Sequence, residues 1–108
     1  MIKLSIITIT KDNSKELALT LDSIFSQTYK KHVELIIVNG GKPIIQKNIK
    51  SKDLKIIIKQ DKSSGIYGAM NLGSEVAKGN HVLYLNAGDK LNNNKVLENL
   101  NKYPLSRD

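Results

Sequence analysis

Residues 61–89 read DKSSGIYGAMNLGSEVAKGNHVLYLNAGD, and this stretch decides the fold. A glycine-rich segment leads into a helix-forming run, which is followed by a short apolar segment and a single aspartate, Asp89. In the helix-forming run Ala69, Gly73 and Ala77 recur every four residues, which places them on one face of a helix. We expect this face of small side chains to bring the helix close to a sheet, at a helix-propensity cost of about 1 kcal/mol for Gly73.

Strand and helix signals alternate along the rest of the chain. Runs rich in β-branched residues predict four strands, at residues 4–10, 33–39, 54–60 and 81–85. Apolar residues with helical spacing predict a helix after the first strand, a second over about 66–78 and a third over about 94–103. Because parallel strands need crossover connections, this alternation predicts an α/β fold: a Rossmann-like, mostly parallel sheet of about four strands with flanking helices.

Individual residues predict where the helices begin and end. Asn13 and Glu16 resemble a capping box at the start of the first helix. Gly79 stands where the C-terminus of the second helix favours a residue with positive φ. Asn94 is the expected cap of the last helix, which Tyr103 and the following proline would end.

A chain of 108 residues can form one compact core, and we expect a single domain at 1–103 followed by a flexible tail at 104–108. The polar, lysine-rich segment 42–53 is expected to be a loop, or to hold a short helix at about 44–49. No apolar run approaches the roughly 18 residues of a membrane span, and no export signal precedes the first strand. With no cysteine, a disulfide framework is excluded, and a cytoplasmic location is the expectation.

The net charge of +7 suggests an anionic partner such as a nucleic acid, a membrane surface or a phosphorylated small molecule. A general lysine bias explains the same charge without any partner. Proteins that read nucleic acids favour arginine forks and stacking aromatic side chains. Here Arg107 is the only arginine and aromatic residues make up 5% of the chain, so no nucleic acid partner is expected.

Three of the predicted strands end in segments with polar residues or glycine, at Thr8–Asp12, Asn39–Gly41 and Asn86–Asp89. In open α/β sheets, ligands bind outside the carboxyl ends of the strands. The glycine-rich segment before the second helix adds backbone amides near a helix N-terminus, which favours an anion. These elements predict that the carboxyl ends of the strands form a binding site suited to a nucleotide diphosphate.

Asp89 has two interpretations. A carboxylate at this edge can hold Mg²⁺, which often takes only one or two carboxylates and completes its shell with phosphates and water. It can equally be a turn aspartate that accepts hydrogen bonds from local amides. No Walker loop, no G-x-G-x-x-G turn after a strand and no G-x-S-x-G elbow occur, and His32 and His81 lack the spacing of a metal site.

Three segments together resemble the N-terminal, nucleotide-sugar-binding half of the family 2 glycosyltransferases, which have the GT-A fold. SIITITKDNSKELALTLDSIFSQTY resembles the opening strand, turn and helix of that family, and VELIIVNGG resembles its second strand and turn. SGIYGAMNLGSEVAKGNHVLYLNAGD resembles its G-I-Y-x-A-M-N-x-G helix and the strand that carries the metal motif. The resemblance covers nearly the whole chain and keeps the order and spacing of the segments.

The resemblance implies a role for each segment. The turn at Gly65 would lie over the donor, beside the helix that contains Asn71 and Gly73. Asp89 would hold a divalent cation, Mn²⁺ or Mg²⁺, on the diphosphate of a nucleotide sugar. Thr8 and Thr10, at the end of the first strand, would line the nucleoside pocket, and Asn39 would face the base or ribose. The implied nucleotide-sugar-binding residues are Thr8, Thr10, Asn39, Gly65, Asn71 and Asn86.

Three positions depart from the family pattern. Family members frequently carry an acid where this chain has Asn39, Ser63 and Gly68. The loss of three carboxylates beside a diphosphate is expected to weaken metal or base recognition without abolishing anion binding. The family's acceptor site and general base lie in a second half that residues 90–108 do not resemble, so no catalytic residue is identified.

Two functions are compatible with these residues. The first is the donor-binding domain of a family 2 glycosyltransferase, which would transfer a sugar from a UDP-sugar to a polysaccharide or glycolipid acceptor with inversion, in the cytoplasm or at the inner face of the membrane. The second is a truncated, catalytically silent domain that binds a nucleotide or another chain. In either case an uncovered sheet edge is expected to favour a homo-oligomer.

Overall fold

The structure, a computed structural model, describes residues 2–44, 49, 53–62 and 65–102. Its strands and helices follow one another in the predicted order, with no helix among the described residues between the second and third strands. They are, in order, β1 (Leu4–Thr10), α1 (Ser14–Phe25), β2 (Val33–Asn39), β3 (Lys55–Gln60), α2 (Gly65–Val76), β4 (His81–Tyr84) and α3 (Val96–Lys102). The ends of several elements differ from the predicted ones by a few residues.

All four strands form one parallel sheet with the order β3-β2-β1-β4. β1 pairs with β2 from Leu4 opposite Val33 to Thr10 opposite Asn39, so these two strands begin and end at the same level. β4 lies on the other side of β1, and β3 on the other side of β2. This architecture confirms the predicted Rossmann-like fold. It brings the carboxyl ends of the strands to one side of the sheet, which we call the carboxyl edge.

The sheet has an apolar core on each face. α1 and α3 cover one face, and the buried side chains there include Ile6, Leu17, Leu21, Ile24, Leu35, Ile37 and Leu97. α2 covers the other face, with Ile7, Ile36, Val38 and Ala69 at its centre. β2 is buried at all seven positions, of which five are apolar, as expected for a central parallel strand. Its two polar residues, Glu34 and Asn39, are hydrogen-bonded within the protein. Because each fully buried large aliphatic side chain contributes about 1.5–3 kcal/mol, the two central strands dominate the stability of the core.

α2 approaches the sheet closely through Ala69 and Gly73, which are both buried. A Cβ atom on Gly73 would lie 2.6 Å from the Cγ2 atom of Ile7 and 3.3 Å from that of Val38. The predicted face of small residues is therefore confirmed at these two positions. Ala77, its third member, lies just beyond the end of α2 and packs against the same core.

Substitution of Gly73 by alanine tests this contact. Alanine favours a helix over glycine by about 1 kcal/mol, but here the added methyl group collides with Ile7. We expect Gly73→Ala to lower the free energy of unfolding by about 1–3 kcal/mol, as overpacking of a core does. Urea unfolding followed by circular dichroism measures the change, with Glu75→Ala, at an exposed position of α2, as the control. An unchanged or higher free energy would show that α2 can move away from the sheet at little cost.

The loop between α2 and β4 differs from the prediction. α2 ends at Val76, and Gly79 does not have the predicted positive φ, so that prediction is wrong. Gly79 instead lies against β1, where a Cβ atom would be 2.7 Å from the Oγ atom of Ser5. Its N–H donates to the same Oγ atom (2.9 Å), and the buried carboxylate of Glu34 accepts from the Ser5 hydroxyl and from the Lys78 N–H, both at 2.7 Å. Close contact with this buried polar cluster, rather than a helix cap, requires the glycine.

The starts of α1 and α3 also differ from the predictions. Asn13 is the N-cap residue of α1, but its side chain makes no hydrogen bond to the helix, so the predicted capping box is wrong. Its Oδ1 atom accepts instead from the Thr10 hydroxyl and from a backbone N–H in the turn. α3 begins only at Val96, and the carbonyl of Asn94 accepts from the N–H of Thr28, which follows α1. The Asn13 side chain therefore binds the turn before α1 and not the helix, and Asn94 lies before the start of α3.

Several predictions fall on residues that the structure does not describe. These are residues 45–48 and 50–52 of the loop or short helix predicted within 42–53, Ser63, Tyr103 at the end of the last helix, and the tail at 104–108. The single domain at 1–103 stays a prediction. Within the described part of the chain, no helix is long and apolar enough to cross a membrane.

Candidate functional site

A pocket of about 470 Å³ opens at the carboxyl edge, between the ends of β1 and β2 and the first turn of α1. Its described lining residues are Thr10, Asp12, Asn13, Ser14, Leu17, Asn39, Lys42, Pro43 and Ile44. Thr10 and Asn39 are partners across the two strands, so the register of the sheet places them side by side in the pocket. The volume lies within the range of small-molecule sites, about 300–1,000 Å³.

The turn after β1 is built around Asp12, whose φ of 52° is uncommon for a residue with a side chain. Its Oδ1 atom accepts a hydrogen bond of 2.8 Å from the N–H of Lys42. A Cβ atom on Gly41 would lie 2.6 Å from the Cγ atom of Asp12, so glycine is needed for this close approach. The contact joins the turn after β1 to the turn after β2 and closes one wall of the pocket.

The turn after β2 is held by the side chain of Asn39, which is 1% exposed. Its amide nitrogen donates to the Lys42 carbonyl (2.6 Å) and to the Oε1 atom of Gln60 (3.1 Å), which uses both amide hydrogens. Its Oδ1 atom accepts from the N–H of Gly41 (3.1 Å), and the Gln60 amide nitrogen donates to the Gly41 carbonyl (2.7 Å). Asn39 and Gln60 therefore form a pair of amides that fixes the Gly41–Lys42 peptide on the pocket wall.

Charged groups of both signs reach the pocket. Among its described lining residues, Asp12 is the only carboxylate and Lys42 the only ammonium. Asp12 already accepts a hydrogen bond from a backbone N–H, whereas the Lys42 side chain is exposed. The pocket can therefore offer a cationic group to an anion at its mouth.

Asp89 lies in a tight turn after β4. The Asn86 N–H donates to the Oδ2 atom of Asp89 (3.1 Å), and the Asp89 N–H donates to the Asn86 carbonyl (2.9 Å). Gly88 has a φ of 102°, which glycine adopts far more readily than other residues. Its N–H donates to the Glu16 carbonyl (3.2 Å), so the turn rests on the first turn of α1. Asp89 has the geometry of a turn aspartate, and its exposed side chain keeps one carboxylate oxygen outside the local hydrogen bond.

The donor atoms at Asp89 suit a cation that is shared with a ligand. Among the described residues, no three side chains of His, Cys, Asp or Glu gather as a metal site. Mg²⁺ and Mn²⁺ prefer oxygen ligands, and Mg²⁺ needs only one or two carboxylates when phosphate oxygens and water complete its shell. One exposed carboxylate is enough for that arrangement, but not for a site made of protein ligands alone.

The structure brings some of the predicted nucleotide-binding residues together and separates others. Thr10 and Asn39 line the pocket. Thr8 is fully buried, lies outside the described lining, and has a hydroxyl without a partner among the described residues. Gly65 begins α2 with a φ of 81°, and Asn71 is exposed almost two turns further along this helix, across the sheet from α1. The ligand contacts of all these residues, and of Asn86 in the Asp89 turn, stay predictions.

Three residues that shape the pocket were not among the predicted binding residues: Asp12, Lys42 and Gln60. Gln60 ends β3, so it lies at the carboxyl edge by the same rule that selected Asn39, and this signal is present in the sequence. Asp12 and Lys42 lie in the turns after two different strands. The sequence places the ends of both strands at the same side of the sheet, but nothing in it shows that the two turns touch each other.

The pair of amides predicts the outcome of a minimal change at Asn39. An aspartate there cannot donate to the Lys42 carbonyl or to Gln60, so two acceptors would face a carboxylate. We expect Asn39→Asp to lower the free energy of unfolding by about 1–3 kcal/mol, measured by urea unfolding at pH 7. Asn92→Asp, the same change at an exposed position, is the control. Equal stability of the two variants would contradict a role for the Asn39–Gln60 contact in holding the turn.

The sequence of this chain is similar to those of known glycosyltransferases. Residues 5–103 match the family model described as Glycosyl transferase family 2. A PGL/p-HBAD biosynthesis glycosyltransferase of Mycobacterium bovis is 38% identical over 92 residues, which are 81% of this chain and 36% of that protein. Glycosyltransferase GlyA of Streptococcus pneumoniae is 33% identical over 73 residues, which are 64% of this chain and 10% of that protein. The chain thus spans about a third of the length of the mycobacterial relative.

Solved structures share the fold. TarS of S. aureus, residues 1–349, superposes with a TM-score of 0.81 at 21% identity, over 94% of this chain and 32% of that one. The same protein has been solved in complex with UDP (TM-score 0.81) and with UDP-GlcNAc (TM-score 0.78). At 21% identity, the similarity between this chain and TarS shows only that they share a fold. The family model, however, matches nearly all of the sequence, and on that ground the chain belongs to glycosyl transferase family 2.

Proposed function

We propose that this chain is the donor-binding domain of a glycosyltransferase that moves a sugar from a nucleotide diphosphate sugar to a polysaccharide or glycolipid acceptor with inversion. The main observation in favour is that a pocket between β1 and β2 and the Asp89 turn both lie against the first turn of α1. The proposed donor is a UDP-sugar. The TarS complexes with UDP and UDP-GlcNAc support this donor class, because TarS has the same fold.

The nucleoside occupies the pocket in this proposal. Leu17 and Ile44 offer apolar contact, and Thr10 and Asn39 offer polar atoms. Asn39 uses both of its amide hydrogens within the protein, so only a lone pair of its Oδ1 atom remains for a ligand. At this position the pocket would therefore accept a hydrogen bond from the base or ribose, and it would not donate one.

The diphosphate extends along the first turn of α1 toward Asp89. The ammonium of Lys42 and the N-terminal amides of α1 favour an anion there. Asp89 would hold Mn²⁺ or Mg²⁺, which stabilises the negative charge of a diphosphate leaving group when it is bound. Asn86 shares the turn with Asp89, and Gly65 and Asn71 would border the donor from α2.

A second candidate function is a nucleotide-binding domain without transferase activity. One observation favours it: Asn39, where family members frequently carry an acid, is a neutral amide committed to Gln60 and the neighbouring turn. The acceptor, the linkage that is formed and the general base are properties of a whole glycosyltransferase. This chain spans about a third of the length of the mycobacterial relative. Both candidates require the donor pocket, and they differ only in transfer.

Calorimetric titration with UDP, with and without Mn²⁺, tests the donor site. We expect Mn²⁺ to tighten UDP binding by about tenfold or more, which corresponds to about 1.4 kcal/mol or more. Asp89→Ala should remove this gain and leave metal-free binding within about twofold of the wild type, because the pocket itself is unchanged.

Asp22→Ala, which removes an exposed carboxylate further along α1, is the control for the change in charge. It should keep the Mn²⁺ response of the wild type. An equal response in Asp89→Ala would mean that Asp89 does not hold the cation. No binding at millimolar UDP by the folded protein would contradict a donor site altogether.

We also propose that two copies of this chain associate through β4. The two edge strands of the sheet differ in charge, since β3 carries the exposed Lys55 and Lys59, which discourage pairing with another strand. β4 has no lysine, and it exposes Val82 (40%) and Tyr84 (39%). An apolar edge without lysine is the more favourable surface for a second copy.

Light scattering at high protein concentration tests this association. We expect a dimer for the wild type and a monomer for Val82→Lys, because a charge on the edge opposes strand pairing. Leu19→Lys, which places the same charge at an exposed apolar position of α1, should remain dimeric. A monodisperse wild-type monomer would rule out the association.

The proposed location is the cytoplasm, with the protein bound peripherally at the inner face of the membrane. The net charge of +7 supports this location, because anionic lipid headgroups attract lysine-rich surfaces. A glycolipid acceptor would lie at the same surface.

A further inference from the structure

One side of α1 carries a polar stripe, formed by Thr20, Ser23 and Gln27. Their spacing of three and four residues places them on one face, with Gln27 just after the end of the helix. Ser23 Oγ accepts from the N–H of Leu91 (3.1 Å), and the Gln27 amide nitrogen donates to the carbonyl of Asn93 (2.7 Å). The stripe thus binds the segment that follows β4, whose residues lie 66–70 positions further along the chain.

Thr20 begins this stripe and contacts the Asp89 turn. It is fully buried, and its Oγ1 atom accepts from the N–H of Gly88 (2.9 Å). The same Oγ1 atom lies 2.5 Å from the carbonyl oxygen of Asp89 and 3.2 Å from that of Asn86. A hydroxyl has one proton to donate, and the Asp89 carbonyl is the nearest acceptor, since the carbonyls of Asn86 and Glu16 both lie at 3.2 Å. The Thr20 hydroxyl thus accepts from Gly88 and donates to Asp89 within the same turn.

We propose that Thr20 is a positioning residue for Asp89: its hydroxyl fixes the backbone of the Asn86–Asp89 turn and thereby the direction of the Asp89 carboxylate. This role rests on the proposed function, in which Asp89 holds a divalent cation. The exposed Asp89 side chain has one hydrogen bond among the described residues, to the N–H of Asn86 in its own turn. The orientation of the Asp89 carboxylate therefore depends on the backbone of the turn. The side chain of Thr20, which is not part of the turn, binds that backbone.

α1 also connects the Asp89 turn to the pocket. Ser14 and Leu17 line the pocket, whereas Glu16 and Thr20 bind the turn. The first two turns of one helix therefore set the distance between the two parts of the site. Because Mg²⁺ requires ligand distances of about 2.0–2.1 Å, a small displacement of the turn is enough to weaken a cation shared with a diphosphate in the pocket.

Thr20→Val tests this role, since valine keeps the β-branched shape and removes the hydroxyl. The measured quantity is the UDP dissociation constant without Mn²⁺ divided by that with Mn²⁺, obtained by calorimetry on the full chain. We expect Thr20→Val to lower this ratio by about tenfold, as changes in residues that orient metal ligands do, and to leave metal-free binding within about twofold. Thr20→Ser, which restores a hydroxyl, should recover most of the ratio.

Thr28→Val is the matched control. The hydroxyl of Thr28 also donates to the segment after β4, here to Glu98 (2.8 Å), but at an exposed position away from the Asp89 turn. This variant should keep the wild-type ratio. A purely structural role of Thr20 would lower the unfolding temperature of Thr20→Val, measured by circular dichroism, without changing the ratio.

A wild type that responds to Mn²⁺, together with an unchanged ratio in Thr20→Val, would overturn the role of Thr20. If the wild type does not respond to Mn²⁺, the cation site of the proposed function fails instead. The exchange rate of the Gly88 amide hydrogen, measured by nuclear magnetic resonance, then decides whether Thr20 fixes the turn. Faster exchange in Thr20→Val than in Thr20→Ser supports it, and equal rates overturn it.

Discussion

The register between β1 and β2 determines where the rest of the site can lie. The two strands pair over their full length and finish with Thr10 opposite Asn39, so the turns that follow them emerge side by side. These turns then meet where the carboxylate of Asp12 occupies the space beside Gly41. Because a shift of one residue would move every side chain of a strand to the other face, the apolar residues that fix the register also fix the pocket.

The sequence was sufficient for features that depend on local patterns: the strands, the helices, the contact of Gly73 with the sheet, and the edge at which polar residues gather. It was not sufficient for hydrogen bonds between distant segments. Gly79 has the sequence context of a helix cap, yet its contact with Ser5, 74 residues earlier, decides its conformation. Thr20 lies within an apolar helical repeat, and its sequence gives no sign of the turn that it binds 66–69 residues later. The spacing of apolar residues along the chain does not indicate hydrogen bonds between distant segments.

The pocket also shows how a neutral amide is accommodated at the end of β2. Asn39 is tolerated because Gln60 and the Lys42 carbonyl accept its hydrogens, so these positions depend on each other. A neutral residue at the end of β2 leaves Asp12 as the one carboxylate and Lys42 as the one ammonium among the described lining residues. The mouth of the pocket is consequently more positive than it would be with a second acid, which favours a polyanionic ligand.

The hydrogen bonds of Thr20, Ser23 and Gln27 also bear on the order in which the protein folds. They close loops of 66–70 residues, whereas β1 and β2 meet over a separation of 29 residues, from Leu4 to Val33. Closing a longer loop costs more chain entropy, so we expect the Asp89 turn to form after the central strands. Regions that fold last and are held by few bonds open first in the native state. A nucleotide that requires the formed turn would therefore slow the opening of the turn more than the opening of the central sheet.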